Sequence, residues 1–210
     1  VFGSVEVEVE LVMKRLMAMA AIVGGCGTAG LAWVQPVQAL PGDTVADVRA
    51  WMKSNPTIRP SATERLIVNK RDSAAQRFTF EASQFAPGAL DASSRESRIR
   101  HESFKLFDMQ NGVTQARLVE SLRAIYGLEV SQDFDRAQTI YTYPTAATVR
   151  TGQSQNRLVL SGLQGELRQG ARFAYWVEVG ANPEGKAYAG HIMVFQARDL
   201  DALEAQIRNR

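Results

Sequence analysis

The strongest constraint on this chain is a β pattern near its C-terminal end, Arg157 to Ala197. From Ala171 onward, Ala171, Phe173, Tyr175, Val177 and Val179 take one parity, while Arg172, Ala174, Trp176, Glu178 and Gly180 take the other. A period of two places these sets on opposite faces of a half-buried strand. Gln169-Gly170 before it, and Ala181 to Gly185 after it, carry turn chemistry. Lys186 to Gln196 is the next strand, with Tyr188, Ile192 and Val194 on one face and Met193 and Phe195 on the other. Apolar residues on both faces predict a strand covered from two sides. Arg157 to Leu167 precedes them and changes parity at Gly162, where a bulge restores register. Three strands joined by short turns make an antiparallel meander, which needs helices to cover its apolar face. The fold class expected is therefore α+β, antiparallel sheet covered by helices.

The rest of the chain supplies such helices. Thr44 with Asp47 forms a capping-box pattern ahead of Val48, Trp51 and Met52, and Asn55-Pro56 stops the helix. A second helix starts near Gly112-Val113-Thr114, with Leu118, Leu122 and Ile125 on its buried stripe and Gly127 at a left-handed C-cap. Residues 131–138 read as a further short helix. Asp199 is the expected cap of a last helix with the stripe Leu200, Leu203 and Ile207. Strands are expected at 64–69, 77–85, 95–107 and 139–143, and a polar loop at 145–156. The 95–107 strand opens on the alternating charges of Glu96 to Glu102, the pattern of an exposed or edge strand.

Residues 1–39 are expected to be a leader. Lys14-Arg15 is a basic n-region, residues 16–34 carry no charge, and Val37-Gln38-Ala39 has the form of a signal-peptidase site. Met13 is then the initiator and residues 1–12 an over-extended start. A retained anchor and lipid attachment at Cys26, after Val23-Gly24-Gly25, are the alternatives, and only they imply a membrane. The leader holds two basic residues and three acidic ones, so its removal takes the net charge from +2 to +3. That charge is too mild to imply nucleic acid. The single cysteine leaves with the leader, which removes disulfides, zinc thiolates and a cysteine nucleophile together. The expected location is periplasmic or secreted. The remaining chain divides into a helix-plus-strands unit at 40–110 and a helix-plus-meander unit with a C-terminal helix at 111–210, either as two domains or as the two halves of one.

The two units echo one another. Gly42-x-Thr44, Val48 and Met52 recur as Gly112-x-Thr114, Leu118 and Leu122. Two explanations fit: a generic helix start, or a tandem helix-then-strands repeat. The second copy, through Tyr126-Gly127, resembles the opening of small exported repeats in β-lactamase inhibitor proteins and outer-membrane assembly lipoproteins. That resemblance implies helices packed on an antiparallel sheet and activity by binding other proteins. The first copy departs from it by ending at Asn55-Pro56 without a closing glycine, and the disulfides common in such inhibitors are absent.

Catalytic chemistry is thinly represented. His101 and His191 are the two histidines, and neither lies in a serine-elbow or zinc-protease motif. Asp133 and Asp135 flank Phe134, but residues two apart on a helix do not face one another, so they read as helix-start charges. No metal-ligand spacing or phosphate-binding glycine loop occurs, and no cofactor is expected. The reading is an exported, non-catalytic binding module for another envelope or secreted protein, with Trp176, Tyr141, Tyr143 and Arg172 as partner-binding candidates. Trp176 serves as an anchor if its face is open; packing of the C-terminal helix over it is the competing arrangement. A second reading is a small-ligand-binding or hydrolytic protein with a cavity near His191, using Tyr175 and Glu178. A third is a structural envelope component.

Overall fold

The computed structural model describes residues 40–89, 95–154, 162–182 and 184–209. The expected leader with its expected cleavage site, Cys26, and the strand and turn positions expected at 157–161 and Pro183 lie outside the described residues. The elements are α1 (Val45–Ser54), β1 (Ile67–Ser73), β2 (Gln76–Ser83), β3 (His101–Asp108), α2 (Gln115–Arg136), β4 (Gln138–Tyr143), α3 (Ala146–Ser154), β5 (Leu163–Gln169), β6 (Phe173–Ala181), β7 (Ala187–Gln196) and α4 (Leu200–Arg208). The seven strands form one antiparallel sheet in the order β1-β2-β3-β7-β6-β5-β4, so the fold is α+β. Pairing of β3 with β7 carries the sheet across the 110/111 boundary.

Both main helices begin in the same way. Gly42 and Gly112 adopt positive φ, and two residues later Thr44 and Thr114 accept a hydrogen bond from the backbone N–H three residues on. Each start is tied to the strand that closes its half of the sheet. Gly42 N–H donates to the Ile99 carbonyl just before β3, and Val113 N–H donates to the Ala187 carbonyl at the head of β7. The echo read in the sequence is thus repeated capping chemistry at equivalent places in the topology.

α1 and α2 cover one face of the sheet. Val48, Trp51 and Met52 from α1, and Leu118, Leu122, Ile125 and Tyr126 from α2, pack on Val68, Phe80, Phe104, Ile192, Val194, Tyr175 and Val177. Trp51 stacks on Tyr126 at 5.6 Å and meets Phe80 edge-on at 6.0 Å. Burying large side chains such as these contributes roughly 1.5–3 kcal/mol each, which is why two helices suffice to hold this face. At Gly127, with φ 76° and ψ −163°, α2 kinks and then resumes, so the helix expected at 131–138 is its second half. The Asn55 side-chain amide donates to the Ile125 carbonyl at 3.0 Å, fixing the end of α1 to that kink.

On the opposite face, Leu200, Leu203 and Ile207 of α4 pack on Leu167, Ala174, Trp176, Met193 and Phe195. β6 and β7 are thereby covered from both sides, as their residue pattern predicts.

Three sequence expectations are corrected. β3 is central, not an edge, because charged residues at its start are buried or paired within the fold; it begins at His101, with 95–100 as a lead-in. The loop expected at 145–156 contains α3. Asp199 makes no side-chain cap to α4; its carboxylate is drawn instead to Arg100. Among the described residues, no helix is long and apolar enough to cross a membrane.

Candidate functional site

Sheet register builds the candidate site. Asn69, Thr79, Lys105, His191, Glu178, Gly165 and Tyr143 stand opposite one another on successive strands β1, β2, β3, β7, β6, β5 and β4. Strand pairing therefore brings residues more than 100 positions apart into one transverse row, on the face opposite α1 and α2. The next row contains Arg71, Arg77, Phe107, Ala189, Gly180 and Leu163. α4 covers the sheet at Trp176 and Met193, and its cluster takes in Tyr143 at the β4 end of the first row, whereas the other residues of the two rows lie outside that cover. Asn69, Arg71, Arg77, Lys105 and Ala189 are exposed. Together the rows form a shallow depression of about 360 Å³ whose margin includes Arg77, Lys105, Phe107, Glu178 and His191.

One wall is a connected polar cluster. Trp176 Nε1–H donates to Tyr143 Oη at 2.7 Å, and Tyr143 Oη–H donates to Glu178 Oε2 at 2.5 Å. The other carboxylate oxygen of Glu178 lies 3.8 Å from His191 Nδ1. The His191 ring meets Trp176 edge-on at 4.4 Å. With side-chain exposures of 12% and 17%, Glu178 and His191 face the depression while their partners lie beneath α4.

Gly165 makes the cluster possible. It stands between Tyr143 and Glu178 in the row, and without a side chain it lets the phenol cross β5. A Cβ there would overlap the Tyr143 ring and approach the Val177 carbonyl oxygen at 2.7 Å. Gly165→Ala is expected to cost about 1–3 kcal/mol by overpacking. It is also expected to displace Tyr143, so that the Trp176 indole N–H loses protection from hydrogen exchange. Protection equal to that of the unsubstituted protein would show that Tyr143 does not depend on Gly165.

The predicted residues divide accordingly. His191 and Glu178 meet at the depression. Tyr175 belongs to the other face: its hydroxyl donates to Asp133 Oδ2 at 2.7 Å, and burial, followed by that carboxylate, pushes the phenol well above its ordinary range. Asp133 is likewise not a helix-start charge. It sits in the last turns of α2 and accepts backbone N–H groups from Ala171 and Arg172 as well as the Tyr175 hydroxyl. Among the partner-binding candidates, Trp176 is 6% exposed beneath α4, because the Leu200, Leu203 and Ile207 stripe takes the sheet face it occupies. Of the two arrangements open in the sequence, the structure has the covered one. Tyr141 stacks on Tyr143 and lies under the Arg208 guanidinium. Arg172 is exposed at the β5–β6 turn, where it pairs with Glu129 of α2 at 3.3 Å. These four do not form one surface.

Sequence reading missed Arg77, Thr79 and Lys105, since only register relates them to His191. It also missed Glu102. This residue is fully buried on the helix-covered face of β3, opposite Ala82 and Val194. Burial pushes its carboxyl up to about 8, against the hydrogen bond of Tyr126 and assisted by the charge of Asp43. His101 is also buried, at the start of the same strand; its Nδ1 lies 2.9 Å from the Phe85 carbonyl, and burial pushes its imidazole down. Among the described residues, no group of three or more His, Cys, Asp or Glu could hold a metal ion. Compared with known proteins, the chain matches no family model, no curated protein and no solved structure.

Proposed function

We propose that this chain is an exported, non-catalytic binding module whose partially open sheet face receives an acidic segment of another protein. The carrying observation is the unequal cover of the two faces. One is closed by α1 and α2, whereas the other is capped by α4 at one end and presents exposed Arg71, Arg77 and Lys105 beyond it. Glu178, the acid at the depression, is engaged by Tyr143 and lies beside His191, which leaves the outer rim cationic. Arg77 lies 4.4 Å from the Phe107 ring centroid, an arrangement that orders a guanidinium before a partner arrives. The resemblance of 112–127 to the repeats of inhibitor proteins and assembly lipoproteins points to the same class of activity.

Capture from envelope extract tests this reading, with Lys105→Glu/Arg77→Glu as the matched control. A specific protein held by the unsubstituted chain, released by moderate salt and lost on charge reversal, is the expected result. Recovery of the same proteins by both forms, or of none, counts against it.

The Glu178–His191 pair favours a second reading, a small-ligand or hydrolytic site, because a carboxylate beside an imidazole can orient it for proton transfer. Turnover of any ester or amide in a substrate screen, abolished by His191→Ala, would place that reading first.

A further inference from the structure

Away from the open sheet face, α1 and the segment leading to β1 enclose a second depression, of about 550 Å³. Arg49, Lys53, Ser61, Glu64 and Arg65 line it. Arg49 and Lys53 stand four residues apart on α1, the spacing that brings like charges together on one side of a helix at a cost to its stability. Among the described residues, none of Arg49, Lys53 and Arg65 forms an ion pair. The Arg49 Nε atom is buried and lacks a hydrogen-bond partner. A buried, unsatisfied donor on a charged group is costly, and such groups normally have an acceptor.

The acid in the pocket does not supply that acceptor. Glu64 Oε2 accepts the Ser61 N–H at 2.8 Å, and Oε1 accepts the Asn69 N–H at 2.6 Å. These backbone hydrogen bonds, Ser61's first, hold its carboxyl below the usual range. Glu64 therefore braces the loop against the edge of β1, and three cations and this one carboxylate surround a space lined otherwise by a hydroxyl and small side chains.

We propose that the pocket between α1 and residues 59–66 binds a phosphate group, free or as a monoester, on Arg49, Lys53 and Arg65. Guanidinium forks match the oxygen spacing of a tetrahedral oxyanion, and a lysine adds a point charge. The Ser61 hydroxyl on the pocket wall provides a neutral donor. The bound group accepts from the terminal guanidinium nitrogens of Arg49 and Arg65 and relieves the repulsion between Arg49 and Lys53. This site is independent of the open sheet face and stands or falls separately from it.

The test is an NMR titration of the full chain with inorganic phosphate against chloride at matched ionic strength, following the Arg49 side-chain Nε–H and the Ser61 amide. A saturable shift with phosphate and none with chloride is expected. Arg49→Gln and Arg65→Gln are each expected to weaken binding about tenfold, whereas Lys105→Gln on the open face leaves it unchanged. Glycerol 3-phosphate binding more tightly than inorganic phosphate would assign the site to monoesters, and the reverse would assign it to the free ion. The proposal is overturned by a phosphate dissociation constant weaker than roughly 100 mM. It is also overturned if malonate, a planar dicarboxylate, binds as tightly, or if the doubly substituted Arg49→Gln/Arg65→Gln protein, folded by circular dichroism, titrates like the unsubstituted one.

Discussion

Glu102→Gln is expected to give a protein that is more stable than the unsubstituted one at pH 8 and similar to it near pH 4.5. Glu102 is 0% exposed, and its carboxyl is raised by burial to about 8 from an ordinary value near 4.5. Between those limits the folded chain holds a proton that the unfolded chain releases. Folding stability therefore falls as pH rises, at about 1.4 kcal/mol per pH unit, and levels off above the folded value. The contribution is fully present below pH 4.5 and lost by pH 8, a fall on the order of 4 kcal/mol. His101 acts with the opposite sign. Burial lowers its imidazole from an ordinary value near 6.5, so it weakens folding under acid conditions and ceases to matter above that value. The carboxyls of Glu64, Glu96 and Asp108 are held below their usual range, and their effects lie below about pH 4.5. Across the interval from pH 6.5 to 8, Glu102 contributes about 2 kcal/mol of the fall.

Urea denaturation at pH 6.5 and pH 8 measures it. The midpoint of the unsubstituted protein should drop between the two by more than that of E102Q, because an amide does not titrate. Equal drops in both proteins would show that Glu102 ionises in the native state without penalty. The geometry gives this loss a place to act: Tyr126, the phenol beside Glu102, stacks on Trp51 of α1 and immediately precedes the Gly127 kink of α2. A charge appearing there is felt at the junction of the two covering helices.

Periodicity carried the parts of this fold that depend on local sequence. The split of Phe173, Tyr175 and Val177 from Trp176 and Glu178 is visible as alternation, and the caps at Thr44 and Thr114 as a glycine-x-threonine echo. Burial of Glu102 was hidden because a charged residue in an alternating charged segment reads the same whether it faces solvent or an apolar core. Its inward direction becomes visible only once Ala82 and Val194 are known to stand beside it. The open row had the same difficulty. Thr79, Lys105 and His191 are neighbours through strand order, and β3 pairs with β7 rather than with the next strand in the chain. The stripe on α4 was legible, but which face of the sheet it covers was not, so the fate of Trp176 stayed open until α4 was seen above it. Asp199 illustrates the limit of local rules: its position suits a cap, yet a guanidinium 99 residues away provides a stronger partner.

Asp199→Ala is expected to destabilise the protein by about 2–4 kcal/mol and to loosen α4 over Trp176. Arg100 Nε donates to Asp199 Oδ2 at 3.0 Å, and a second guanidinium nitrogen pairs with Oδ1, a two-point contact between side chains 13% and 9% exposed. Glu96 joins the network through Arg100 and through Arg198 at 2.6 Å. Because Glu96 stays in place, removal of Asp199 does not strip Arg100 of every counter-charge, which holds the cost below that of a fully isolated buried ion. What is lost is the direct tie between the lead-in to β3 and the start of α4. That helix has only Leu200, Leu203 and Ile207 buried against the sheet, a narrow stripe with little surplus to replace the tie. Exchange of the Trp176 indole N–H, shielded in the intact protein beneath α4 and hydrogen-bonded to Tyr143, should accelerate by more than global unfolding alone accounts for. Arg100→Met combined with Asp199→Ala removes the guanidinium left with Glu96 alone and should recover part of the stability without restoring the tie, so fast indole exchange persists in the double variant. If both substitutions are additive in stability, or if indole exchange in D199A follows the global unfolding rate, the ion pair does not hold α4 on the sheet, and the apolar stripe alone determines whether Trp176 stays covered.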